Sequence, residues 1–159
     1  MALTPAQQAA LKAAITADST LNAYPNTGDG AFDMARDKLN QLASPAFVVW
    51  EDKLTPAKYE AGLIAGATQI DALTQGKRDE LFMIGQNTRD CSDVNVRAAI
   101  DDATGSQATL KAALVAVTKR NALLIEKILA TGTGTTQSPA TLGYAGTINY
   151  VDVQNARNS

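Results

Sequence analysis

Histidine is absent from the 159 residues, and cysteine occurs once, at Cys91. The first absence removes the usual base of Ser-His-Asp and Cys-His nucleophile activation, and with it the commonest metal ligand. With one thiol and no imidazole, a zinc site would have to be built from carboxylates, against the ion's ordinary preference for sulfur and nitrogen. A lone cysteine cannot close an intramolecular disulfide, so Cys91 is read as a small, semi-buried apolar residue. Basic clusters are missing too: 14 Lys and Arg are scattered among 16 Asp and Glu for a net charge of −2. A phosphate-backbone binder needs those cations gathered on one face, so no specific nucleic-acid partner is expected. Nor does any run approach the ~20 apolar residues of a membrane span; the longest uncharged stretch near the middle covers only 61–70. The opening MALTPAQQ does not have the basic-then-apolar order of a secretory signal. The chain is therefore read as non-enzymatic, with no cofactor, no metal and no membrane partner.

Alanine is what the sequence has in abundance. It supplies 29 residues, against 34 for Leu, Ile, Val and Phe together. Alanine adds little buried area but has the highest helix propensity, so the composition favours closely approaching helices with a modest core. Thr4 and Gln7 form a capping box with Pro5 at the first helical position, which predicts a helix over 5–17 with Leu11 and Ile15 on its apolar face. The stretch 18–29, with Tyr24-Pro25-Asn26-Thr27-Gly28 at its centre, reads as a loop. Phe32, Ala35, Leu39 and Leu42 at 3-4-3 spacing predict one face of a second helix ending near Ala43, broken by Ser44-Pro45. Thr55-Pro56 opens a third, with Tyr59, Leu63 and Ala67 inward, and Thr74 caps a fourth in which Leu81, Phe82 and Ile84 face the core up to Gly85. Asp93 caps a helix to about Ala103 carrying Val96, Ala99 and Ile100; Gly105 ends it and Ser106 is placed to cap the next. Leu110, Leu114 and Val117 continue the 4-3 spacing. Asn121 marks a break or a fresh cap, after which Leu124, Ile125, Ile128 and Leu129 define another helical face.

At Thr131 the composition changes. Residues 131–138 are uncharged, rich in Gly and Thr and without periodicity, which reads as a linker or arm. After Pro139 the run 140–145 looks extended and in need of a strand partner, either from another chain or from 46–50. Gly146 is a turn, and Asn149 caps a last helix through Arg157. The expected fold is thus mainly α: a small helical bundle over 1–130, followed by an extended C-terminal arm over 131–159 with one short strand and a terminal helix.

Several motifs are tested and set aside. Gly132 and Gly134 begin a GxGxxG-like string, but position 137 is Gln and a helix precedes it, so the dinucleotide fingerprint is incomplete. Gly76-Lys77 lacks the rest of a phosphate loop. Asp90, Asp93 and Asn95 have the wrong spacing for a calcium loop and no closing Glu. Asp101 and Asp102 are adjacent, about 100° apart on a helix, and cannot share a proton. Gly62 and Gly66, four apart and outside a membrane, imply only a close helix contact. What remains suits assembly. The candidate interaction residues are the apolar patch Phe47, Val48 and Trp50, the tail residues Thr131, Gly132, Thr133, Gly134 and Thr135, and Leu142 and Tyr144 beyond them. Aromatic side chains are enriched at interface hot spots, and an extended segment can add a strand to a neighbour.

The segments Ser44–Trp50 (SPAFVVW), Val94–Asp101 (VNVRAAID) and Ala130–Leu142 (ATGTGTTQSPATL), in this order, resemble a group of small proteins encoded among the virion genes of tailed bacteriophages and prophages, over roughly residues 4 to 153. The resemblance implies a virion structural component and brings no catalytic residues. A small helical protein with an extended tail is similar in kind to the adaptors that form a ring beneath the portal, a closed set of repeated head-to-tail contacts. The implied role is a head-to-tail connector subunit in a cyclic homo-oligomer, contacting portal and tail proteins, located in the virion and passing through the bacterial cytoplasm during assembly. The rival roles are a minor tail or baseplate protein and, in a different class, an assembly chaperone or binding module outside the particle.

Overall fold

A computed structural model describes residues 2–159. In chain order the elements are α1 (Pro5–Ala17), α2 (Ser19–Asn22), α3 (Gly28–Met34), β1 (Val48–Trp50), α4 (Pro56–Ala65), α5 (Gln75–Gly85), α6 (Val94–Thr104), α7 (Ala108–Val117), β2 (Lys119–Asn121), α8 (Leu124–Leu129) and α9 (Tyr150–Asn158). A π-helical turn, Ala35–Leu39, prolongs α3, and a 3-10 turn, Ala67–Gln69, follows α4. The fold is mainly α, as expected, and β1 pairs with β2 in a two-stranded sheet.

Most helices begin where the sequence offers a side-chain acceptor. The Thr4 hydroxyl accepts the Gln7 N–H while the Gln7 side chain accepts the Thr4 N–H at 2.9 Å. Thr55, Thr74, Asp93 and Asn149 cap α4, α5, α6 and α9 in the same sense. Each such cap satisfies an otherwise orphaned donor and is worth about 1 kcal/mol. Three starts differ from expectation. Asn121 lies in β2 and does not cap α8, which follows Leu123. Asp18 accepts the Thr20 and Leu21 N–H groups and so nucleates α2 inside the expected loop. Ser106 does not cap α7: Gly105 turns at φ 54° and the Gln107 N–H still reaches back to Thr104 O at 3.1 Å. The chain is completing its exit from α6 at that point, and α7 starts two residues after Ser106 without a side-chain cap.

The helical faces are mostly as spaced, with corrections where the register slips by one. On α3 and its π turn the buried set is Ala31, Met34, Ala35 and Leu39, whereas Phe32 is 52% and Leu42 64% exposed. Phe32 lies one residue, about 100°, round from Ala31. Leu42 falls beyond the helix, in a single antiparallel bridge to Leu123. Phe82 follows buried Leu81 and is likewise turned out, 54% exposed. Ala67 is exposed because α4 stops before Gly66, which takes the buried position.

The chain separates into two compact units, one formed by residues up to Val49 together with Asn121–Ser159, the other by Trp50–Arg120. The borders therefore fall at 49/50 and 120/121, and the expected border at 130/131 lies inside the first unit. The reason is the first unit's core, which joins both ends of the chain: α1 and α3 each pack on α9, and Leu11, Met34, Ile125, Val153 and Ala156 are all without solvent exposure. A terminal helix that buries such residues belongs to the body.

The second unit is built from α4 to α7 around Leu54, Tyr59, Leu81, Ile100, Leu110 and Leu114, with Cys91 fully buried among them. Its tightest crossing is α4 on α7. A Cβ placed on Gly62 would lie 3.0 Å from Val117 Cγ2, and one on Gly66 would lie 2.6 Å from the Leu110 Cα. The small-residue spacing thus does allow a close helix approach.

Candidate interaction surfaces

The Gly/Thr segment is bent at Gly132 and Gly134, both at positive φ, and is held by its own unit. Val48 N–H donates to Gly134 O at 2.8 Å, Ala140 N–H donates to Val48 O at 2.9 Å, and Thr131 and Thr141 exchange two bonds of 2.9 Å. The 46–50 segment is therefore the strand partner of 140–145, one of the two alternatives the sequence left open, through a parallel bridge between Val49 and Ala140. The expected strand exists only as such single bridges among the described residues. Between them, Thr133 Oγ1 and the Thr135 N–H both donate to Ser138 O, closing a small exposed turn.

Side chains follow the backbone inward. Gly134 is buried with φ 66°, and a Cβ there would fall 2.1 Å from the Phe47 ring. Phe47 and Leu142 pack on a small cluster of Val49, Ala122 and Ala140, while Tyr144 packs on the main core of the unit. Of the candidate residues, Phe47, Val48, Gly134 and Leu142 are thus brought together within the first unit, and Thr131, Gly132, Thr133 and Thr135 form its exposed edge. Trp50 lies in the second unit.

Sequence reasoning missed the residues that anchor this segment. Glu126, 1% exposed, accepts the Leu123 N–H at 2.9 Å with one oxygen and the Gly146 N–H at 2.8 Å with the other. Asn40 donates to Ile148 O and accepts the Ile148 N–H, both at 2.9 Å. Asp152, 4% exposed, accepts from Asn149 N–H and, at 3.5 Å, from Leu3 N–H. A buried carboxylate is stable only when its lone pairs are taken up, and here backbone donors take them up. The Tyr144 hydroxyl is pushed above its usual range, first by burial and then by the charges of Asp152 and Glu126.

Each unit also presents an open, mainly apolar groove. On the first, Phe32, Ala35, Ile148 and Tyr150 line a space of about 450 Å³, with Arg36 on its rim. The Arg36 guanidinium lies 5.5 Å from the Phe32 ring centroid and is already paired with Asp33 and Asp37 at 2.9 and 2.6 Å. On the second unit, Trp50, Val94, Ala98, Ile100 and Val115 line a space of about 330 Å³. Here Arg97 stacks on the Trp50 ring at 4.3 Å and Lys119 stands 5.5 Å from it. Among the described residues, no group of His, Cys, Asp and Glu is placed to hold a metal ion, and no helix is long and apolar enough to cross a membrane. No protein-family model, no curated protein and no solved structure matches the chain.

Proposed function

We propose that this chain is a non-catalytic structural subunit of a larger particle, a head-to-tail connector or adaptor of a tailed phage that assembles as a ring. One observation carries the assembly reading: each unit leaves large apolar side chains exposed beside a mainly apolar groove. Phe32 and Tyr150 flank the groove of the first unit, and Val94, 62% exposed, lies at that of the second. Exposed aromatic residues beside concave apolar surface are characteristic of protein–protein contact sites. The phage assignment rests on the resemblance of the Ser44–Trp50, Val94–Asp101 and Ala130–Leu142 segments, and the lack of histidine favours a structural role over hydrolytic chemistry.

The route of contact differs from a free C-terminal arm. Because backbone groups of Thr131, Gly134, Thr135, Ser138, Ala140 and Thr141 bond within their own unit, subunit contacts are assigned to the grooves and to the outward threonines, Thr131, Thr133 and Thr135. Quantitative mass spectrometry of purified particles tests the reading. A low, symmetric copy number close to that of the portal supports a connector. Abundance in proportion to tail length supports a minor tail protein instead, and absence from the particle supports a chaperone.

A further inference from the structure

Residues 142–149 join the last main-chain bridge, between Thr131 and Thr141, to α9. Among the described residues, none of 142–148 makes a hydrogen bond from main chain to main chain. Side chains of the first unit hold the segment instead. Gln7 Nε2 donates to Gly143 O at 2.6 Å, Glu126 accepts the Gly146 N–H at 2.8 Å, and Asn40 engages both main-chain groups of Ile148 at 2.9 Å. The helix beyond is lightly seated: Val153 and Ala156 are its only apolar side chains without exposure, while Tyr150 and Val151 are largely open to solvent. No sheet ladder and no helix has to break for 142–159 to come away as one piece, and segments of this kind open well before the whole fold does.

The seat that α9 would leave is specific for it. Leu11 of α1 and Met34 of α3 contribute its apolar floor. Two polar points fix the register: Arg157 gives one amino group to Pro25 O and the other to Tyr24 O, both at 2.7 Å, and Asp152 accepts the Leu3 N–H at 3.5 Å. A guanidinium fork reaches two carbonyls at once, which an ammonium cannot do in the same geometry. An occupant therefore needs a carboxylate and a guanidinium five positions apart on one helix, with Val153 and Ala156 or their like between them. Another copy of α9 meets that description in full.

We infer that α9 is exchanged between copies, the helix of one chain taking the α1–α3 seat of the next. Own and foreign α9 make the same contacts there, so the two arrangements differ only in the path of 142–149. Fully extended, that path spans about 26–29 Å, roughly twice the 13–14 Å length of a nine-residue helix. It can thus carry α9 clear of its own seat and on to an adjoining one. Each donation leaves one seat open and one helix outstanding until a rotation closes the set. The inference rests on the proposed assembly role and supplies it with a tethered contact.

Two single-cysteine copies test it. A Cβ on Gly28, in α3, would lie 3.6 Å from Gln154 Nε2, in α9, with nothing else within 4 Å. Gly28→Cys and Gln154→Cys are therefore mild changes that place thiols across the seat, and native Cys91 is buried away from reagents. The two full-length variants are mixed in equal amounts, unfolded in urea, refolded together at high concentration and treated with a short bismaleimide. A covalent dimer on a denaturing gel is expected from the mixture and from neither variant alone. A chain carrying both cysteines is the control, since its monomeric form must give an internal link. Asn40→Ala, which removes both bonds to Ile148, is expected to raise the rate at which mixed monomers become linkable about ten- to thirtyfold, the effect of two ordinary hydrogen bonds. An unchanged rate overturns the gating given to 142–149. A mixture that assembles without cross-linking overturns the exchange and leaves ring assembly standing. A chain that stays monomeric at every concentration also overturns the exchange, and the copy number in particles then decides the proposed function separately.

Discussion

Gly66→Ala should destabilise the second unit although alanine is the better helix former. Gly66 has φ −102° and ψ 10°, an ordinary backbone conformation. On that ground the change alone would stabilise by about 0.4–1 kcal/mol through the unfolded chain. The added methyl, however, would stand 2.6 Å from both Cα and Cδ1 of Leu110. The first of these is backbone and cannot rotate away, so α4 and α7 must separate, and overpacking of this kind costs about 1–3 kcal/mol. The net expectation is a loss of about 1–2 kcal/mol, and a chain of this length loses roughly 2–4 °C in midpoint per kcal/mol. Gly76→Ala supplies the control, since nothing lies within 4 Å of its would-be Cβ, and it should gain stability. Urea denaturation followed by Trp50 fluorescence reports on the unit concerned. A Gly66→Ala protein as stable as wild type would refute the claim that this glycine exists to let two helices approach.

Two further expectations concern buried groups. Glu126→Ala strips the acceptor from the half-buried Leu123 and Gly146 donors and should cost about 2 kcal/mol in chemical denaturation, with Glu126→Gln milder because one acceptor survives. Burial, reinforced by the charges of Glu51 and Asp90, pushes the Cys91 thiol up to about 11. The reactive thiolate is thus scarce at pH 8 and the sulfur has no exposure. Modification by an aromatic disulfide reagent should therefore run only as fast as the second unit opens, and rapid labelling of native protein would contradict this.

The local grammar of the helices was legible because it depends on near neighbours in sequence. Thr4 with Gln7, Thr55 with Pro56, Thr74, Asp93 and Asn149 each satisfy donors two or three residues away, and all five mark helix starts. The 3-4 spacing also found most of the core, including Leu110, Leu114, Ile125 and Leu129. Two of its errors share a form, unlike Leu42 and Ala67, which fall beyond the ends of their helices. Phe32 and Phe82 are large and close to the buried stripe, so hydrophobicity drew them inward, while smaller or neighbouring residues, Ala31 and Leu81, hold those places.

The unit borders and the tail's attachment were not legible, because they depend on partners more than a hundred residues away. Leu3 meets Asp152, Asn40 meets Ile148, and Arg157 donates to the carbonyls of Tyr24 and Pro25 at 2.7 Å. No periodicity encodes such pairs. A sequence hint did exist: the side chains that make these bonds are those of Asn40, Asp152 and Arg157, polar groups that a folded chain must satisfy. The Trp50 patch was singled out for its aromatic ring, yet the feature that gives it chemistry, Arg97 stacked on the ring, required the fold to bring α6 beside β1.

The neighbours of this chain in an intact particle test the central claim most directly. Cross-linking of purified virions through Lys119, which stands beside the Trp50 ring, followed by peptide sequencing, should join it to another copy of the same chain and recover portal-side proteins in the same complexes. Particles that are complete and infectious without the chain, or cross-links that never include a second copy, would contradict the account.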